Sequence, residues 1–168
     1  LAQLGKPRTR DTIDLAIGGG ADYPAEKGVL ERVLMDEFLV SADRAGHLTG
    51  AYGTRSDTVL TYCATRDDDQ PLDPDCARTS AEIAYLIHIE HAVHLADIVL
   101  RRTDLAITGR LSLSLVDTLA DLMAQELDWS PEQTASEKMT LLDELRDYHG
   151  VSLMAQDQNS KSRRMECV

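Results

Sequence analysis

The chain has 168 residues and a net charge of −12, with 43% hydrophobic residues and only 4% aromatic ones. This length is enough for one domain with a real core. The acidic balance argues against nucleic acid as a partner and against electrostatic docking on an anionic membrane, because both need clustered Lys and Arg. Leu and Ala dominate the apolar residues, which favours helix packing over a sheet.

The cysteines and the chain ends bear on the compartment. Cys63, Cys76 and Cys167 lack the spacing of a disulfide framework or a zinc site, so we expect a reducing cytosol. No apolar run approaches the ~18 residues of a membrane span, and no signal peptide is recognised. Since the sequence starts at Leu1 rather than Met, we expect a fragment of a longer protein.

Residues 1–22 are predicted to be an extended lead-in. Polar and apolar residues alternate over Thr12–Ile17, and the run Gly18–Gly20 then breaks the pattern. Three glycines suggest a phosphate-binding loop, but the spacing of a dinucleotide or nucleotide loop is absent. A flexible turn is therefore the better interpretation.

Two helices are predicted next. Pro24 suits a first helical position, and an apolar stripe continues to Arg44, where Gly46 is expected to end the helix. A second helix is predicted over residues 54–65. The acidic segment 67–75 that follows fails as a calcium loop, because Pro71, Leu72 and Arg78 occupy ligand or turn positions. We expect a solvated loop there.

The run from Ser80 to Thr103 is predicted to be one long central helix. Its apolar residues recur at gaps of three and four, which places them on one side of a helix. They are Tyr85, Leu86, Ile89, Ala92, Val93, Ala96, Val99 and Leu100. Glu90, His94, Asp97 and Arg101 form a second, polar stripe.

Two more amphipathic helices are predicted after a turn at Gly109. The first covers Leu111 to Leu127, and the second starts at Ser130-Pro131, a helix N-cap followed by Pro at the first position, and ends near Gly150. The polar tail 151–168 is predicted to be disordered. The expected fold is all-α, a single bundle-like domain of about five helices over residues 23–150.

Histidines cluster in the central run. His88, His91 and His94 lie close to Glu90, but their order differs from that of zinc hydrolases, and no third ligand is evident on a second helix. We therefore expect no metal ligands, and surface imidazoles with one contact between Glu90 and His94. A metal-binding regulator acting through His91 and His94 is kept as a weaker alternative.

The polar stripe has three interpretations. Glu90, Asp97, Arg101 and Arg102 could be acid–base catalysts, but such a row more often forms structural ion pairs. Arginines at this place could also bind carbonyl groups of a neighbouring domain. No nucleophile motif is found. We expect no catalytic and no cofactor-binding residue, and a structural or interdomain role for this stripe.

Several motifs in one order resemble a known family. Its strings are matched by Leu48-x-x-x-Tyr52-Gly53, by Glu82-x-x-Tyr85 followed by Glu90, Asp97 and Arg101-Arg102-Thr103, and by Met123-Ala124-x-Glu126-Leu127-x-Trp129. From about Thr9 to Trp129 the chain resembles the C-terminal helical domain of FAD-dependent, quinone-linked glycerol-3-phosphate dehydrogenases. The histidines at 88, 91 and 94 depart from the family pattern.

The resemblance implies an enzyme that oxidises glycerol 3-phosphate to dihydroxyacetone phosphate and passes electrons through FAD to a membrane quinone. It implies that FAD and substrate bind to an N-terminal part that this sequence lacks, and that this part is the partner of the present domain. Tyr85, Glu90, Asp97, Arg101, Arg102 and Thr103 would then be structural or interdomain residues. The full-length enzyme would be cytoplasmic and peripheral on the inner face of the plasma membrane.

Two matters stay open at this point. A stand-alone helical module that binds a partner protein is the competing class of function. The sequence also leaves open whether a homodimer forms.

Overall fold

The computed structural model describes residues 15, 17–26, 28–74 and 76–153, and its regular secondary structure is helical. No β-strand occurs within these residues, where Pro71 and Thr79 form an isolated bridge. The all-α prediction is confirmed. The six α-helices are α1 Val29–Phe38, α2 Ala42–Tyr52, α3 Ser56–Cys63, α4 Ser80–His88, α5 Leu113–Leu127 and α6 Pro131–His149. A 3-10 turn, Gly53–Arg55, precedes α3, and a π-helical segment, Asp97–Arg102, lies between α4 and α5.

The chain divides into two compact units, Leu1–Leu60 and Thr61–Val168. The first contains α1 and α2, which pack on each other, and the second contains α4, the π-helical segment, α5 and α6. The predicted limits 1–22, 23–150 and 151–168 stay predictions. Most of the lead-in, and residues 154–168 of the tail predicted to be disordered, lie outside the described residues.

The first predicted helix is two helices. α1 starts at Val29, not at Pro24, and ends at Phe38 because Leu39 adopts a left-handed conformation with φ 55°. Ser41 then caps α2, its side chain accepting a hydrogen bond from the Arg44 amide at 3.2 Å. Gly46 lies inside α2, so the prediction that it ends the helix was wrong. A left-handed leucine carries no sequence signal comparable to a glycine.

The glycine run makes a turn that packs against the end of α2. The carbonyl of Gly19 accepts a hydrogen bond from the Thr54 amide at 2.9 Å. Gly19 has φ 80°, and a Cβ there would lie 2.4 Å from the carbonyl oxygen of Tyr52. A Cβ on Gly53 would meet the carbonyl of Gly19 as closely. Both positions therefore need glycine, which gives the Tyr52-Gly53 motif a packing role.

In the second unit, α4 is the most buried helix. Every residue from Ala81 to Ile87 is buried. Its first turn is capped from the acidic loop, since a carboxylate oxygen of Asp69 accepts a hydrogen bond from the Ala81 amide at 3.0 Å. The acidic loop thus contributes to the fold at Asp69, while Asp68 is half exposed and pairs with Arg66.

The predicted central helix from Ser80 to Thr103 was wrong in one respect: it is interrupted. α4 ends at His88, and His91 adopts a left-handed conformation with φ 57°. Ile89 and Val93, both predicted to lie on the apolar face, are each 50% exposed. We call residues 89–96 the helix break. Helix interruptions usually occur at Pro or Gly, and this run contains neither, so the side chains around the break must supply the cause.

The last two helices agree with the sequence analysis. Ser112 and Ser130 cap α5 and α6, and Pro131 occupies the first turn of α6, which ends before Gly150. The sequence predicts an apolar face of Met139, Leu142 and Leu145 on this helix. In the structure Leu141 and Leu145 are fully buried, while Met139 is 66% exposed.

Candidate functional site

Most of the polar residues predicted to have a structural or interdomain role lie around the helix break, where α4 gives way to the π-helical segment. A helix that starts afresh exposes several backbone N–H groups that need acceptors. The sequence supplies those acceptors from within the segment and from α6, a helix more than thirty residues later in the chain. The geometry of this part follows from that requirement.

Asp97 is the local acceptor. Its Oδ2 accepts hydrogen bonds from the amides of Val93 at 3.1 Å and His94 at 3.0 Å, and its Oδ1 accepts one from Arg101 at 2.6 Å. This is one half of a capping box, in which an acidic residue reaches back to the start of its own helix. Burial acts to raise the pKa of Asp97, but the hydrogen bonds from His94 and Val93 and the Arg101 guanidinium outweigh it, and the pKa is lowered.

Glu137 of α6 is the second acceptor, and the sequence analysis did not identify it. Its Oε2 accepts a hydrogen bond from the Leu95 amide at 3.1 Å, and its Oε1 lies 2.9 Å from Nδ1 of His94. The hydrogen bond with Glu137 raises the pKa of His94, although partial burial opposes this. No local pattern signals a contact between residues 42 positions apart.

Glu90 and Arg102 join the start of the helix break to the end of the π-helical segment. Nη1 of Arg102 lies 2.9 Å from a carboxylate oxygen of Glu90, and its Nη2 donates to the Glu90 carbonyl at 3.3 Å. Glu90 therefore pairs with Arg102 and not with His94, so the prediction of a Glu90–His94 contact was wrong. That prediction assumed a continuous helix, in which residues four apart are neighbours.

Thr103 and Tyr85 have packing roles. The Thr103 hydroxyl donates to the Ile98 carbonyl at 2.7 Å, which satisfies a carbonyl at the end of the π-helical segment. Tyr85 is 2% exposed and packs edge-on against Tyr62, with ring centroids 5.5 Å apart and an interplanar angle of 74°.

A buried ion pair joins α4 to the loop that precedes it. Glu82 is fully buried, and its carboxylate accepts from Nη1 of Arg78 at 2.9 Å, while Nη2 of Arg78 bonds Asp104 at 2.6 Å. Arg78 is 5% exposed. The sequence analysis used Arg78 only to reject a calcium loop. It connects the loop before α4 with the loop after the π-helical segment.

The two histidines beside the break contact different helices. Nε2 of His88 lies 2.7 Å from Glu126 of α5, a carboxylate that also accepts from Arg66 at 2.6 Å. His94 instead contacts Glu137 of α6. No group of three or more His, Cys, Asp or Glu side chains that could hold a metal ion is found within the part of the chain that the structure describes.

A hollow of about 230 Å³ adjoins His94. Its lining combines groups of both charges with apolar and neutral ones: His94, Ala96, Arg101, Glu137, Thr140, Leu141 and Glu144. The surrounding hydrogen bonds hold the segment in shape, and the arrangement offers no activated nucleophile. Around the break, the polar residues act on the backbone and on one another.

One of three comparisons with known proteins found a match. Residues 10–134 match the family described as the C-terminal domain of alpha-glycerophosphate oxidase. A comparison with curated proteins gave no match, and one with solved structures gave none either. The described helices include none with the length and apolar character that crossing a bilayer requires. The match extends over most of the sequence and includes α1 to α5 with the whole helix break, so this chain belongs to the family of C-terminal domains of alpha-glycerophosphate oxidase.

Proposed function

We propose that this chain is the C-terminal helical domain of an FAD-dependent glycerol-3-phosphate dehydrogenase. In that enzyme, glycerol 3-phosphate is oxidised to dihydroxyacetone phosphate, and the electrons pass through FAD to a quinone. The observation that carries the proposal is the family match over residues 10–134, within which Glu82, Tyr85, Glu90 and the Arg101–Thr103 triplet follow the order expected for this domain.

The domain itself is proposed to supply no catalytic residue. Glu90 and Asp97 are engaged with arginines and with backbone amides, which leaves them in structural roles. The Arg101 and Arg102 side chains are 65% and 45% exposed, respectively. A guanidinium that keeps free donors while paired suits hydrogen bonding to carbonyls of an adjoining domain. We propose that this surface faces the FAD-binding and substrate-binding part of the enzyme.

The described residues do not fit a flavin. The run Gly18–Gly20 is the one glycine-rich candidate there, and a dinucleotide loop would need a helix to begin directly after it. α1 begins only at Val29, and the space beside Gly19 is filled by the backbone of Tyr52. FAD is therefore proposed to bind outside these residues. No step of the reaction is assigned to this chain.

The proposed setting follows from the proposed enzyme. A quinone acceptor lies in the membrane, so the complete enzyme is placed at the cytoplasmic face of the plasma membrane as a peripheral protein. Contact with lipid would belong to another part of that enzyme, since an acidic chain with net charge −12 is repelled by anionic lipids.

The first experiment uses the purified chain. After incubation with FAD and gel filtration, we expect no flavin absorbance in the protein peak. We also expect no reduction of a dye acceptor on addition of glycerol 3-phosphate. A yellow protein, or turnover above a heat-denatured control, would overturn the assignment of flavin and chemistry to another part.

The second experiment addresses the interdomain surface in the complete enzyme. Arg101→Gln and Arg102→Gln remove charge and donors from that surface, and Lys138→Gln is the matched control, because Lys138 pairs with Asp117 at 2.9 Å elsewhere on the domain. We expect the two arginine variants to lower the temperature of flavin release and the control to leave it unchanged. Three identical release temperatures would contradict the interdomain role.

A further inference from the structure

One contact around the helix break differs from the others because it comes from a remote helix. Glu137 of α6 meets the break with both carboxylate oxygens, one on the Leu95 amide and one on His94. The Leu95 amide lies where the chain becomes helical again, so it has no helical carbonyl as a partner. Glu137 is the acceptor that this amide has in the structure.

The charge around His94 favours an imidazolium. Glu137 and Glu144 of α6 line the adjoining hollow together with Arg101, and Asp97 lies three residues along the chain from His94. The carboxylates of Glu137 and Asp97 favour the charged ring, and the Arg101 guanidinium opposes it. Neutral imidazole can still donate from Nδ1 to Glu137 in one tautomer, but the other tautomer sets a lone pair against the carboxylate.

We propose that the His94–Glu137 pair is a proton-operated latch between α6 and the helix break. When His94 is protonated, a charge-assisted hydrogen bond holds Glu137 in place, and Glu137 in turn holds the Leu95 amide. When His94 loses its proton, the charge assistance is lost and the break is free to move relative to α6. The latch is a conformational device and goes beyond the proposed role in a flavoenzyme.

The direction of the effect follows from linkage. A histidine whose pKa is raised by folding contributes stability below its unfolded pKa, and this contribution disappears as the pH rises through the folded pKa. The latch is therefore closed in mild acid and loosens toward alkaline pH. Because the His94 side chain is 63% exposed, solvent and salt screen the pair.

The consequence concerns what the break presents to solvent. Ile89 and Val93 are half exposed, and Glu90, which lies between them in sequence, pairs with Arg102 at the end of the π-helical segment. A loosened latch increases the motion of this surface without unfolding α4, whose residues are buried independently of Glu137. A proton thus alters the order of a surface and leaves the core unchanged.

The test is an NMR titration of the histidine ring signals in the purified chain and in Glu137→Gln. We expect His94 to titrate at higher pH in the unmodified chain than in the variant, because the hydrogen bond with Glu137 raises its pKa. Hydrogen exchange of the Leu95 amide, corrected for the intrinsic pH dependence, should become about two- to fivefold faster above the His94 pKa, as an exposed pair allows.

Glu144→Gln is the matched control, since Glu144 lines the same hollow without a hydrogen bond to the break. It should change the His94 titration less than Glu137→Gln does and leave the Leu95 amide unaffected. The proposal is overturned if His94 titrates at the same pH in the unmodified chain and in Glu137→Gln. Equal effects of the two variants would also overturn it, because a diffuse acidic field would then explain the shift.

Discussion

The two halves of the Ser80–Thr103 run have the same apolar periodicity and different structures. In the first half, α4 is a regular helix in which Ala81 to Ile87 are all buried. In the second half, the backbone leaves the helix, turns at His91 and resumes as a π-helical segment. Both halves bury apolar side chains, including Leu95, Ile98 and Val99 in the second. Burial alone therefore does not decide whether the helix continues.

The difference lies in where polar partners are found. Glu82, in the first turn of α4, forms a buried ion pair with Arg78, and the helix ends without a glycine. The second half is held at its start by Asp97 and Glu137, whose carboxylates replace missing helical acceptors. A buried charge pair costs much to break from one side, whereas an exposed pair contributes little. The two halves should therefore respond very differently to the loss of one polar side chain.

The largest effect is expected in the first half, for Arg78→Met. The variant leaves the fully buried Glu82 carboxylate without its guanidinium partner. We expect the free energy of unfolding to fall by about 3–5 kcal/mol, the usual cost of removing one partner from a buried ion pair. Urea denaturation followed by circular dichroism gives the measurement.

Arg102→Met is the matched control for Arg78→Met, because it removes an arginine from the half-exposed pair with Glu90. Its loss should stay below about 1 kcal/mol. If the free energy of unfolding fell by the same amount in both variants, the proposed difference between a buried ion pair in the first half and a partly exposed pair in the second would be wrong.

Next in size is Asp97→Ala, which removes the acceptor of two backbone amides. Loss of an N-terminal cap costs about 1–2 kcal/mol. Hydrogen exchange should show faster exchange at Val93 and His94 and little change within α4. Asp121→Ala serves as control, since Asp121 is exposed and lies 3.8 Å from Lys138. Uniform loss of protection across both halves would show that Asp97 supports the whole run.

The same carboxylate predicts an acid limb. The pKa of Asp97 is lowered in the folded chain, so its contribution is present above the unfolded pKa and is lost as the pH falls through the folded one. Stability of the unmodified chain should therefore decline more steeply in acid than that of Asp97→Asn. The measurement is the urea midpoint over the acidic range. Parallel curves would contradict the assigned role.

How far the sequence determined this picture depends on the range of each interaction. Local signals were sufficient for α5 and α6, whose serine caps and Pro131 lie within one turn of the helix starts. They failed at Leu39, where a left-handed residue without a glycine ends α1. Local signals failed again at His91, which is also a left-handed residue other than glycine.

Only some of the contacts around the helix break could be predicted from the sequence. Asp97 and Arg101 lie four residues apart, and their contact follows from a helical turn. Glu137 lies on α6, and only the tertiary fold brings it to the run. Because Glu137 lies outside residues 80–103, their sequence alone predicts a continuous helix.

The smallest change in the free energy of unfolding is expected at His91, where the two halves of the run separate. His91 has φ 57°, a conformation that costs an L-residue about 1–2 kcal/mol and glycine almost nothing. Glycine also makes the unfolded chain more flexible, which offsets about 0.4–1 kcal/mol of that gain. We therefore expect His91→Gly to raise the free energy of unfolding by roughly 0.5–1 kcal/mol.

The control is Ala135→Gly, on an exposed position inside α6, which should lower the free energy of unfolding by about 1 kcal/mol. Opposite signs for the same new residue would show that the run is interrupted at His91 in solution. A loss at both positions would instead mean that His91 is helical, and the break, its carboxylate acceptors and the latch would have to be abandoned together.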